Sequence, residues 1–215
     1  MLWWFLVVLT VTCCLNKTMA LSALVPRKQQ FMKHCAASLL THFLCILQPH
    51  PTDASTIFTN GLFHTGFGIT TTHYQSYAHL LSEAGIPTLL VGDVDESDDT
   101  ALSMRRDAAS LLAQDTTKPA GVDTHLLLVG HSRGGAVAAL AATQRETDAL
   151  VLLDPVDTSD GLVLAAIAGG TKMQPPRHVL IVSTPYGGLS SYYRVRYESA
   201  CAPTGGWALM LCYLS

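Results

Sequence analysis

Leu126-Leu127-Leu128-Val129, Gly130-His131-Ser132-Arg133-Gly134-Gly135 and Ala136-Val137-Ala138-Ala139-Leu140-Ala141-Ala142 follow one another without a break. The first run is apolar and reads as a buried strand. The last is alanine-rich and reads as a helix. The Gly-x-Ser-x-Gly between them leaves no room for a loop. A chain that passes from strand to helix so abruptly holds its central serine in a strained backbone conformation and lifts the hydroxyl above the sheet edge. Side chains two positions either side would strike the neighbouring strand and helix, so Gly130 and Gly134 are expected to be glycines for steric reasons. Ser132 then stands at a helix N-terminus, where backbone N–H groups face developing negative charge. That is the setting of a nucleophile. An ordinary Gly-Ser turn is the alternative it displaces.

Outward from this junction, apolar strands alternate with helices. Strands are expected at 55–59, Pro87–Val91, His125–Val129, Ala149–Leu153 and His178–Ser183. Helices are expected at Tyr74–Ala84, from a cap at Asp98-Asp99 to about Asp115, at Arg133–Arg145 and at Leu162–Ala168. The second of these would bury Leu102, Ala109, Leu111 and Leu112. Short apolar strands joined by helices mean an α/β fold, with a mostly parallel sheet covered by helices on both faces. Ligands in such sheets bind beyond the carboxyl ends of the strands. The acidic run from Asp93 to Asp99 reads as a solvated loop, since it lacks the spacing of a calcium loop.

The bulk numbers narrow the function. Of 215 residues, 49% are hydrophobic and 13% charged, so the chain can bury a sizeable core. A formal net charge of −3 gives nucleic-acid binding no electrostatic support. Six cysteines are present, none in a C-x-x-C pair, and neither a structural metal nor a cofactor is expected.

The N-terminus reads as targeting sequence. Leu2–Leu15 is almost wholly apolar but short of the roughly eighteen residues that span a bilayer. Residues 1–20 therefore resemble a signal peptide, with a cut after Ala20. Residues 21–52 carry Arg27, Lys28 and Lys33 and no acid before Asp53, in the manner of a transit peptide or linker. Together they point to a plastid reached through the secretory system. Simple secretion, or membrane association through the apolar N-terminus, are the alternatives. The catalytic domain would occupy residues 53–215.

A serine nucleophile needs an imidazole base, itself oriented by a carboxylate. Asp154 directly follows the fourth strand and is the expected acid, with Asp157 in reserve. The histidine is harder to find. His178 follows Asp154 in sequence but begins a strand, a full strand length (roughly 17–20 Å) from the serine's edge. His131 lies inside the elbow, and His64 is out of the usual order. For the oxyanion, the expected donors are the backbone N–H of Arg133 and that of Leu62 or Phe63, read as a loop after Asn60-Gly61.

The elbow Gly130–Gly135, with Leu152-Leu153-Asp154-Pro155-Val156, Val179–Thr184 and Cys201-Ala202-Pro203, resembles chlorophyllase, a member of the α/β-hydrolase superfamily. The resemblance covers roughly residues 55–203. It implies hydrolysis of a carboxylic ester, the phytyl ester of chlorophyll, by way of a serine acyl-enzyme. In that family an Asn-His pair after Cys-Ala-Pro supplies the histidine. Here Thr204–Cys212 follows instead, and the family's His-Gly stands as Asn60-Gly61. The implied domain would lack its last strand and helix, with no strand pattern in Trp207–Ser215. A different secreted serine esterase or lipase, or a hydrolase-fold protein without activity, are the other readings.

Overall fold

The computed structural model describes residues 58–92, 100–115, 125–145, 147–157, 176, 178–183 and 207–212. All belong to one compact unit, Gln48–Ser215. The signal-like and transit-like segments, the acidic run and the helix expected at Leu162–Ala168 lie outside the described residues.

Six strands form one sheet: β1 (Phe58–His64), β2 (Thr88–Val91), β3 (His125–His131), β4 (Ala149–Leu153), β5 (His178–Ser183) and β6 (Trp207–Cys212). Their order is β2-β1-β3-β4-β5-β6, and every neighbouring pair is parallel. Among the described residues the helices are α1 (Gln75–Glu83), entered through a 3-10 turn at Thr71–Tyr74, then α2 (Ala101–Ala113) and α3 (Arg133–Gln144).

The register explains the core. Leu62, Leu128 and Leu150 stand side by side across β1, β3 and β4, as do Phe63, Val129 and Val151 on the opposite face. Successive strand residues point to opposite faces, so a continuous apolar run signals cover on both. On one face, Leu62, Leu128, Leu152 and Ile181 join Met104 and Leu111 of α2 and the alanines of α3 in a single buried cluster. On the other, the ring of Phe63 packs on Tyr74 and Tyr77, with centroids 5.1 and 6.0 Å away. Each large aliphatic side chain enclosed in this way contributes about 1.5–3 kcal/mol. The architecture is the α/β fold expected from the sequence, a parallel sheet with helices packed on its faces.

Three expectations need correction. First, β1 runs Phe58–His64, so Asn60-Gly61 is strand rather than turn. A Cβ at Gly61 would come within 3.2 Å of the Thr88 Cβ on β2, so the glycine serves close strand approach. Second, α2 is capped by Thr100, whose hydroxyl accepts the N–H of Ser103 at 3.3 Å. Its buried face is Met104, Ala108 and Leu111, whereas Leu102 is 68% exposed and Ala109 also faces solvent. Third, Trp207–Cys212 is a strand. It pairs with β5 from His178↔Trp207 to Ser183↔Cys212, so the sheet does not lack the strand that the sequence reading left out. An apolar run without alternation is ordinary for parallel sheets, which explains why no period-two pattern announced it.

Candidate active site

The strand order reverses direction between β1 and β3: β2 lies to one side of β1, and β4, β5 and β6 follow β3 on the other. At such a point the two connections leave in opposite directions and open a crevice beyond the carboxyl ends. The segments bordering this crevice are the loop after His64 and the elbow after His131.

Ser132 has φ 53° and ψ −121°, a backbone conformation sparsely populated by non-glycine residues. Several contacts hold it there. Its N–H donates to the carbonyl of Leu153 at 2.9 Å, and its carbonyl accepts from Gly135 at 2.9 Å and Val156 at 3.3 Å. The two flanking glycines have the steric cause inferred from the sequence. A Cβ at Gly130 would stand 2.7 Å from the Cα of Gly135, inside the elbow's own helix. A Cβ at Gly134 would run into the carbonyl groups of His64 and Thr65 at the end of β1.

The Arg133 N–H is the first of α3, where helix amides point outward along the axis. Its side chain goes elsewhere. The guanidinium is 2% exposed, and its Nη2 donates to Ser103 Oγ at 3.0 Å and to Asp107 Oδ2 at 2.6 Å. This pair ties the elbow helix to α2. Truncating a buried partner strands the other charge, so Arg133→Met is expected to cost about 3 kcal/mol. The check is the midpoint of urea unfolding, and the double variant with Asp107→Asn should recover part of the loss.

Asp154 follows β4 at the same edge, with φ 46° and its N–H bonded to the carbonyl of Val182 at 2.7 Å. Aspartate tolerates this left-handed conformation better than most residues. It is partly buried, and its charge is felt by His131.

Leu62 and Phe63 do not lie in a loop. Both are inside β1, fully buried and in register with Leu128 and Val129. The loop beside the elbow is Thr65–Gly68, and this is the segment that sequence reasoning missed. The signal available for it was Gly66-Phe67-Gly68, a glycine pair shortly after Leu62-Phe63. The Thr65 N–H is bonded to Val91 O at 2.9 Å and the Gly66 N–H to the Tyr74 hydroxyl at 3.2 Å. Phe67 is half exposed.

None of the described histidines is arranged as a base for Ser132. His178 starts β5 at the amino end, its N–H bonded to Asp148 O at 3.0 Å. His125 pairs with Asp148 at 2.8 Å at that same far end. His64 does end β1 at the right edge, but its ring is 2% exposed, with Nδ1 3.0 Å from the Thr65 carbonyl. Burial lowers its pKa and keeps it neutral. The Nδ1 of His131 is taken up by Tyr74 at 2.7 Å. Histidines 34, 42 and 50 lie outside the described residues. Among the described residues, no group of His, Cys, Asp or Glu could hold a metal ion.

No family model and no curated protein matches the chain. Among solved structures it is similar to one titled "Crystal structure of esterase PE8", with 16% sequence identity and a TM-score of 0.47 over 73% of this chain and 83% of that one.

Proposed function

We propose that this protein hydrolyses carboxylic esters through Ser132. The observation that carries the reading is the backbone of Ser132 itself. A serine held at φ 53° and ψ −121° at the mouth of a topological switch point, between two glycines that admit no side chain, is strain kept for chemistry. Ser132 Oγ attacks the ester carbonyl as its proton passes to a general base, a role that none of the described histidines fills. The tetrahedral oxyanion is received by the Arg133 N–H and by the backbone of the Thr65–Gly68 loop. Collapse releases the alcohol and leaves an acyl-serine, which water then hydrolyses. Asp154, one strand away at the same edge, is the carboxylate placed to orient such a base and stabilise its charged form.

The preferred substrate is an apolar ester with a long isoprenoid alcohol, the phytyl ester of chlorophyll. Two things support this finer reading: the similarity of the elbow and Asp-Pro-Val segments to chlorophyllase, and the half-exposed ring of Phe67 beside the elbow. A fluorophosphonate probe followed by peptide mass spectrometry tests the nucleophile. The adduct is expected on Ser132 alone. A protein that binds no probe under conditions where it is folded is not a serine hydrolase. Chlorophyll and p-nitrophenyl butyrate, assayed side by side, decide the substrate class.

A further inference from the structure

The reaction just proposed does not use Tyr74, yet the tyrosine bridges the two segments that border the crevice. Its ring is 6% exposed and packs against Phe63, Tyr77 and His131. Its hydroxyl accepts the N–H of Gly66 at 3.2 Å. The same oxygen lies 2.7 Å from Nδ1 of His131, the residue before the nucleophile. The phenol's own O–H needs an acceptor in this buried setting, and donating to His131 Nδ1 supplies one. That direction requires a neutral His131 with its proton on Nε2. Burial favours the neutral form of both rings, since it lowers the pKa of His131 and raises that of Tyr74. The fit leaves no slack: a Cβ at Gly66 would stand 2.7 Å from His131 Nδ1 and 3.1 Å from the Tyr74 oxygen. Gly66 is therefore a glycine because the loop is pressed against this pair.

We propose that Tyr74 is a positioning residue for the ester hydrolysis assigned above: its hydroxyl clamps the Thr65–Gly68 loop to the elbow through Gly66 and His131, and so sets the oxyanion-binding backbone relative to Ser132. The proposal rests on that functional reading. An oxyanion donor acts only when it is aimed before the charge develops. Releasing the Gly66 N–H lets the loop drift, and the loss falls on the transition state rather than on substrate binding.

The test is Tyr74→Phe, which keeps the ring and its packing and removes only the bridging oxygen, with p-nitrophenyl butyrate as the probe substrate. The expected result is a fall in kcat of about tenfold to a hundredfold with KM within about threefold, smaller than the loss on removing an oxyanion donor itself. Tyr77→Phe, the neighbouring ring with no part in the chain of bonds, should match wild type. The imidazole 15N spectrum of His131 supplies a second readout that needs no turnover. In wild type it should report the Nε2–H tautomer, and in Tyr74→Phe a mixture of tautomers. An active wild type with Tyr74→Phe equally active, or with His131 already a tautomer mixture, overturns the clamp and leaves the esterase reading standing. A wild type with neither turnover nor fluorophosphonate labelling overturns both.

Discussion

Ser132→Ala is expected to lower kcat for p-nitrophenyl ester hydrolysis by at least about four orders of magnitude, because without Oγ no acyl-enzyme forms. Ser132→Gly should be just as inactive, yet the two proteins should differ in stability. Alanine inherits the strain of φ 53° and ψ −121°, whereas glycine adopts that backbone without a Cβ penalty. Relief of roughly 1–3 kcal/mol, less about 0.5–1 kcal/mol for the added freedom of the unfolded chain, leaves the glycine variant about 1 kcal/mol more stable. For a domain of this size that is a rise in Tm of about 2–4 °C. Calorimetry of the three proteins checks it. Equal melting of the alanine and glycine variants would mean that the elbow stores no strain.

Gly134→Ala is the substitution expected to damage the fold most. Its new methyl group would meet the carbonyl groups of His64 and Thr65, which are backbone at the end of a buried strand and cannot swing aside. Either α3 lifts from β1 or β1 shifts against β3. Both options open the cluster that α3 alanines form with Leu62 and Leu128. The cost should reach about 4–5 kcal/mol, a large share of the 5–15 kcal/mol by which domains are stable. The variant should recover poorly in soluble form and melt without cooperativity. Gly85→Ala is the comparison. That glycine has positive φ, at 84°, and a Cβ there meets nothing, so only about 1 kcal/mol of backbone strain is expected.

How much of this was legible in the sequence depended on whether the signal was local. The elbow was readable because strand, turn and helix are contiguous and each glycine answers to a clash within a few ångströms. Asp154 was readable because it sits one residue beyond an apolar run. The Asn60-Gly61 pair misled for a physical reason. Asn-Gly is the strongest short turn signal, and only the approach of Thr88 from a strand distant in sequence shows that the glycine is there for contact. That one misreading placed the loop beside the elbow at Leu62 and Phe63 instead of at Thr65–Gly68. β6 was missed for a related reason: whether an apolar run becomes a strand is decided by the free edge of β5, which no local pattern records. The Tyr74–His131 bridge joins positions 57 residues apart and leaves no trace in spacing.

One rung of the sheet has an evolutionary consequence. Ser132 hangs from the carbonyl of Leu153, and Asp154 hangs from that of Val182. Ser132 and Asp154 are thus spaced by backbone ladders about 4.8 Å apart, not by the loops around them. Segments beyond Val91 or Val156 can be lengthened, shortened or exchanged while the distance between Ser132 and Asp154 stays constant. A lineage built on this sheet can therefore try new pockets by recombining those loops, and each trial keeps Ser132 and Asp154 at the same separation.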